Sequence, residues 1–183
     1  MLGGIGLTLA LGISVSAVAA VWDARTGHMP NWLTLGALAA APPVAFALEA
    51  SAHGVQAGFA AAGMSLLGAL VCAIGPFVAF CKGAMGGGDV KLFAAIGALL
   101  GFRLGLDAEF YGFVIGALYV PAKLAWEGRL FSTLAGGFRA LLNPLRKMQE
   151  RAVVPEGLKM RIRFGPAICV GTIAAIALAW MGA

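Results

Sequence analysis

The first charged side chain in this sequence is Asp23, and the 22 residues before it are apolar or small. The pattern repeats along the chain. Residues 32–48, 50–81, 92–102, 110–122 and 164–183 carry no Asp, Glu, Lys or Arg. A helix needs about 20 apolar residues to cross the hydrocarbon of a bilayer. The longer of these runs approach or exceed that length, and uncharged runs so long fit lipid as their solvent. Composition agrees: 61% of residues are hydrophobic and 11% charged, against roughly 45–50% and 25% in an ordinary soluble domain.

Reading apolar runs between charges and Pro/Gly breaks gives an all-α membrane protein, one polytopic domain over 1–183. It has six expected spans, at about 2–22, 32–50, 55–80, 90–106, 109–126 and 164–182. No Lys or Arg precedes the first run as the n-region of a secretory signal requires, so that run is taken as a span. Pro42, Pro43, Pro76 and Pro121 fall inside spans, where neighbouring helices can satisfy the freed backbone groups. The 27 glycines suit close packing of membrane helices.

Basic residues set the expected orientation. The loops at 23–31, 81–91 and 127–163, with Lys123 at the end of its span, hold twelve of the thirteen Lys and Arg and leave Arg103 on the other side. By the positive-inside bias these loops face the cytoplasm. Both termini then face outside, together with Glu49, His53, Asp107 and Glu109. Within 127–163, Phe131, Leu134, Phe138, Leu141, Leu145 and Met148 recur at helical spacing. That spacing predicts an interfacial amphipathic helix, with Arg139, Arg146, Lys147 and Arg151 toward anionic headgroups.

Several function classes drop out. The net charge of +5 is spread between apolar runs with no recognition motif, so nucleic acid is not expected as a partner. Cys72, Cys81 and Cys169 are far apart and form no CxxC pair, and His28 has no partner at metal-binding spacing. Neither a metal nor an organic cofactor is expected.

The informative charges are Asp23 and Asp89, 66 positions apart, at span ends on the same side of the membrane. Asp89 follows Gly86-Gly87-Gly88, where a carboxylate can cap free N–H groups and meet the positive end of a helix dipole. Asp23 has no such local reason. At the C-terminus of its own helix its charge opposes the dipole. Asn31 is expected to cap span two, and Arg25 to follow the positive-inside bias.

Around Asp23 the chain reads Asp23-Ala24-Arg25-Thr26-Gly27-His28-Met29-Pro30-Asn31-Trp32. An aspartate, a basic connector and a Pro-Asn opening the next span resemble the first active-site motif of the type IV prepilin peptidases. Gly86-Gly87-Gly88-Asp89-Val90-Lys91 is similar to the GxGD motif of that family and of preflagellin and presenilin-type membrane proteases. Arg163-Phe164-Gly165-Pro166-Ala167-Ile168 resembles the segment that opens the family's last span.

The resemblance implies an aspartyl endopeptidase of the bacterial inner membrane, its active site facing the cytoplasm, with Asp23 and Asp89 catalytic. Gly86, Gly87, Gly88, Lys91, Pro30, Asn31, Gly165 and Pro166 would bind substrate or support the pair. It implies a prepilin or pseudopilin substrate and pilus assembly machinery as a further partner. The paired CxxC insertion of the larger enzymes is absent here. The likeness is therefore to the short, peptidase-only branch of tight-adherence (Flp) pili, without N-methyltransferase activity. Three other readings compete: an ion- or proton-coupled transporter, a non-catalytic pilus or secretion assembly protein, and a GxGD protease with a different membrane substrate. Mid-membrane acids and inverted repeats would mark the transporter, and neither is found in the sequence.

Overall fold

The computed structural model describes residues 2–128, 130–132, 134–135 and 163–182. Among them there is no strand. Five long helices account for nearly all of the described chain: α1 Leu2–Thr26, α2 Asn31–His53, α3 Val55–Cys81, α4 Gly87–Trp126 and α5 Gly165–Met181. Three stretches are long and apolar enough to cross a membrane, Gly6–Thr26, Asn31–His53 and Val55–Cys81, while α5 is a shorter apolar helix. This is a membrane protein by length and composition. The chain divides into two compact units, Met1–Ile115 with Arg163–Ala183, and Gly116–Ile162.

In the first unit α2 and α3 pack as an antiparallel hairpin turning at Gly54, with the rings of Phe46 and Phe59 edge to face at 5.0 Å. Helix α5 runs back along α1. Small residues at the crossings let backbones touch, which is how helices bind one another when lipid supplies no hydrophobic drive.

Helix α4 departs from the expected pair of spans. The gap expected between 106 and 109 is continuous helix, and the break falls at Gly101, with φ 78 and ψ 168. That backbone conformation strains any residue with a Cβ. The chain reverses there, so that Phe93 on the entering arm stacks on Phe113 of the returning arm at 5.7 Å. A Cβ on Gly105 would lie 2.9 Å from the Cα of Gly97.

The vertex of this hairpin sits halfway along its neighbours. Leu100 packs on Gly12 of α1, Ala98 and Leu99 join Ala41 of α2 and Ala69 of α3 in one cluster, and Ser65 donates to the Ala98 carbonyl at 2.7 Å. Both arms then follow the same half of α3: Gly87 lies by Phe80, Gly97 by Gly68 and Cys72, Gly105 by Cys72, and Glu109 by Gly75. Glu109, expected at the outer end of the span 109–126, is helical and 8% exposed, packed against Gly75 of α3. Beyond the vertex a cavity of about 300 Å³, lined by Thr8, Leu48, Ser65, Leu99 and Gly101 among others, faces away from the aspartates.

The second unit holds the end of α4 and helical turns at 130–132 and 134–135. Trp126 and Phe131 are almost fully exposed there, and Leu134 is exposed. The rest of the expected amphipathic stripe, Phe138, Leu141, Leu145 and Met148, lies outside the described residues, as do Arg139, Arg146, Lys147 and Arg151.

Where α3 meets α4 there is no room for a methyl group. A Cβ on Gly68 would run into the Gly97 carbonyl, which belongs to backbone and cannot swing aside. Gly63 on the same helix has nothing within 4 Å. Gly68→Ala is expected to destabilise the folded protein by roughly 2 kcal/mol, as overpacking does, and Gly63→Ala to change stability by less than about 0.5 kcal/mol. Unfolding midpoints of the two variants in lipid nanodiscs decide the matter.

Candidate active site

Five helix ends converge at one end of the first unit. Helix α1 arrives there with Asp23 in its last turn, and α3 arrives with Phe80 and Cys81. Helices α2, α4 and α5 all start there. Three N-terminal dipole ends thus meet near the two aspartates, an arrangement that favours negative charge.

Asp23 is 6% exposed. Its Oδ2 accepts a hydrogen bond from the N–H of Gly165, the first residue of α5, at 3.0 Å. A helix start has N–H groups with no partner of their own, and no side chain of the α5 N-cap, Phe164, supplies one. Asp23 therefore opposes its own helix dipole while satisfying that of a helix 142 positions away. Glycine is required at 165 by approach distance: a Cβ there would lie 2.9 Å from the Asp23 Cβ and 3.0 Å from Oδ2. Arg163 adds a second tie, donating from Nη1 to the Ala24 carbonyl at 2.6 Å. Pro166 sits at the second position of α5, where its missing N–H costs nothing.

Asp89 lies in the first turn of α4, before the apolar stretch begins. Its Oδ2 accepts from the Gly86 N–H at 3.3 Å, while the Gly86 carbonyl accepts from the N–H groups of Asp89 and Val90. This is the backward-reaching half of a capping box, so the local role expected of Asp89 is present. Burial pushes the Asp89 carboxyl from the ordinary 3.8 up to about 6, the Asp23 charge adds to the rise, and the Gly86 bond opposes it. The two carboxyl groups thus act on each other electrostatically.

Between them lies Met29, a residue with no signal in the sequence. A Cβ on Gly88 would lie 2.9 Å from the Met29 Cβ, and one on Gly165 3.1 Å from its Cε. Met29 is therefore the wedge between the start of α4 and the start of α5. Gly87 faces the Phe80 ring. A thioether at such a junction fills an irregular gap without demanding a partner.

Asn31 does something other than the capping expected of it. Pro30 occupies the N-cap position of α2, no side chain caps that helix, and the Pro30 carbonyl accepts from Leu33 and Thr34. Asn31 Oδ1 instead accepts from Lys91 Nζ at 2.9 Å, joining the two aspartate-bearing motifs across 60 positions. An amide at helix position one cannot turn back to cap, and the ammonium two residues past Asp89 is within reach. His28 bonds locally, its Nδ1 against the Thr26 carbonyl at 3.0 Å. Among the described residues no group of three or more His, Cys, Asp or Glu is placed to hold a metal ion.

Because the carboxyl of Asp89 titrates near 6 when folded and near 3.8 when unfolded, the sign of its linkage is definite. Below about pH 4 both states are protonated; between about 4 and 6 the unfolded chain loses its proton first, so stability falls as pH rises. The whole effect is about 3 kcal/mol. Asp89→Asn, which keeps the acceptor for Gly86, is expected to flatten this part of the curve of unfolding midpoint against pH. The pair Asn31→Leu and Lys91→Met is expected to cost no more than about 1 kcal/mol each and to show coupling in a double-mutant cycle.

Comparison with known proteins adds three findings. A family model described as the type IV leader peptidase family matches residues 10–120, a stretch that includes both aspartates. Over 52 residues the chain is 48% identical to the prepilin leader peptidase/N-methyltransferase of Bacillus subtilis (strain 168), which covers 28% of this chain and 21% of that relative. The matched stretch is thus about a fifth of the relative's length. No solved structure matches.

Proposed function

The chain belongs to the type IV leader peptidase family, and from that premise we propose that it is an aspartyl endopeptidase removing the leader of prepilins or pseudopilins. Asp23 and Asp89 are its catalytic pair. The observation that carries this reading is the convergence of a buried Asp23 and a half-buried Asp89 on one junction of helix ends, where burial and the Asp23 charge push the Asp89 carboxyl up to about 6. Hydrolysis of a peptide bond by two carboxyls needs one ionised group to take a proton from water and one protonated group to give a proton to the carbonyl oxygen. Close carboxyls that cannot both ionise supply these two states from one residue type. Asp89, its carboxyl pushed up to about 6, takes the acid role in this reading, and Asp23, which accepts the α5 N–H, the base role. The titration itself belongs to the pair.

In this reading the aspartate end of the bundle lies at the cytoplasmic face of the bacterial inner membrane. A short polar leader would enter from that side while the apolar helix of the substrate stays in lipid. Gly86, Gly87 and Gly88 let the Asp89 carboxyl, the Phe80 ring and Met29 close on the start of α4, and Asn31 with Lys91 keeps the two motifs in register. Chemistry stops at peptide cleavage. N-methylation is left out because the paired CxxC insertion of the larger enzymes has no counterpart among Cys72, Cys81 and Cys169. Without that insertion the motifs fit the short tight-adherence branch.

A second reading has a specific observation behind it. Asp23 and Asp89 each accept a backbone N–H at the start of a helix, which is what purely structural caps in an assembly protein would do. Asparagine separates the two, because it still accepts those bonds but cannot cycle a proton. In co-expression with the pilin genes of its own source, Asp23→Asn and Asp89→Asn are each expected to reduce leader removal by at least roughly 100-fold, with the protein still inserted and folded. Full processing by either variant would assign that residue to capping alone.

A further inference from the structure

Glu109, on the returning arm of α4, takes no part in the proposed chemistry. It is 8% exposed, and its Oε2 has no hydrogen-bond partner among the described residues. A carboxylate in that position is among the most expensive groups an apolar interior can hold. The ionisable neighbour it faces on α3 is the Cys72 thiol, which offers no positive charge, and Arg103 and Asp107 of its own arm are exposed.

Its other oxygen points at the backbone of α3. A Cβ on Gly75 would lie 2.5 Å from Oε1 and 3.7 Å from the carboxyl carbon, so the carboxyl reaches the helix only because residue 75 is glycine. The next residue, Pro76, is fully buried inside α3. Proline has no N–H, so the helical bond from position 76 to the carbonyl of Cys72 does not exist. An interior carbonyl without its donor needs another one. One turn of α3 thus brings together a buried carboxyl with a free oxygen and a backbone carbonyl with a missing donor.

We propose that Glu109 is carried as a neutral acid whose O–H donates to the Cys72 carbonyl left free by Pro76, and that this bond makes it a positioning residue for the aspartate pair. The returning arm is the floor of the site. Gly112 of that arm packs on Ile168 and on the Phe93 ring, and Phe113 stacks on Phe93 and lies 5.7 Å from the ring of Phe164. Phe93 is one helical turn past Asp89, and Phe164 precedes the glycine that donates to Asp23. Holding the arm against α3 therefore holds both supports.

Four variants and three measurements, unfolding midpoint, leader removal and infrared absorption, test this in lipid nanodiscs. Glu109→Gln keeps a donor and is expected to keep the unfolding midpoint and leader removal near those of the parent. Glu109→Ala is expected to lower the midpoint by on the order of 5 °C and to slow leader removal several-fold. Adding Pro76→Ala, which restores an N–H to the Cys72 carbonyl, is expected to recover most of what Glu109→Ala loses, with Pro76→Ala alone as the reference. The infrared carbonyl stretch of a protonated carboxylic acid, recorded well above pH 6 where Asp89 is ionised, is expected in the parent and absent in Glu109→Gln. Damage by Gln equal to that by Ala, a deficit that Pro76→Ala leaves untouched, or no acid band to lose would each overturn the proposal. Should Pro76→Ala fail to fold, the infrared band and the Gln rescue still decide. Unfolding and infrared need no substrate, so their outcome is separate from that of the peptidase reading.

Discussion

The hydrogen bond from the Gly165 N–H to Asp23 is the constraint on which the rest of the site depends. A carboxylate in the last turn of a helix faces carbonyl oxygens and the negative end of a dipole. Here that cost is offset by a second helix, whose first N–H, that of Gly165, donates to the same carboxylate. One bond therefore does three things: it starts α5, it buries Asp23, and it brings residues 142 positions apart to the end of the bundle where α4 begins. The consequence is electrostatic. Asp89, raised first by its own burial and then by the Asp23 charge beside it, carries a higher affinity for a proton than a free carboxyl would.

Around this bond the packing is built from residues that are notable for what they lack. Gly68, Gly97 and Gly105 bring α3 and the two arms of α4 into backbone contact, and Gly88 and Gly165 let Met29 sit between two helix starts. Leucine or valine at these crossings would hold the helices apart, and in lipid nothing would drive them back together. The reversal at Gly101 follows from the same economy of atoms, because its φ of 78 is open to glycine and closed to β-branched or bulky residues. A hairpin that turns halfway along its neighbours returns a second arm to the aspartate end. That arm supplies the aromatic floor of Phe113 under Phe93 and Phe164.

Part of this was legible in the chain. Asp23 interrupts the first apolar run, and Gly86 to Asp89 interrupts the third and fourth; each interruption is expensive in lipid, so each points to a site. The capping role of Asp89 was legible too, because it depends on the four consecutive residues from Gly86 to Asp89. Illegible were the partner of Asp23, the bond between Lys91 and Asn31, and the wedge at Met29. All three join positions more than 50 apart or between different helices, and no local propensity encodes them. The reading of Asn31 as a cap failed for the same reason: local residue preference was overridden by what lay across the bundle.

By itself, then, the sequence determined the solvent, the helices and the identity of the residues that could do chemistry, since these follow from apolar run length, charge placement and motif. Only the tertiary structure decided where α4 turns, which helix start holds Asp23, and that Glu109 is buried against Gly75 of α3. The physical reason is one of range. Hydropathy and backbone preference act over a few residues, whereas the energy of a carboxyl group in an apolar interior is set by whichever donors and charges the fold carries to within a few ångströms of it.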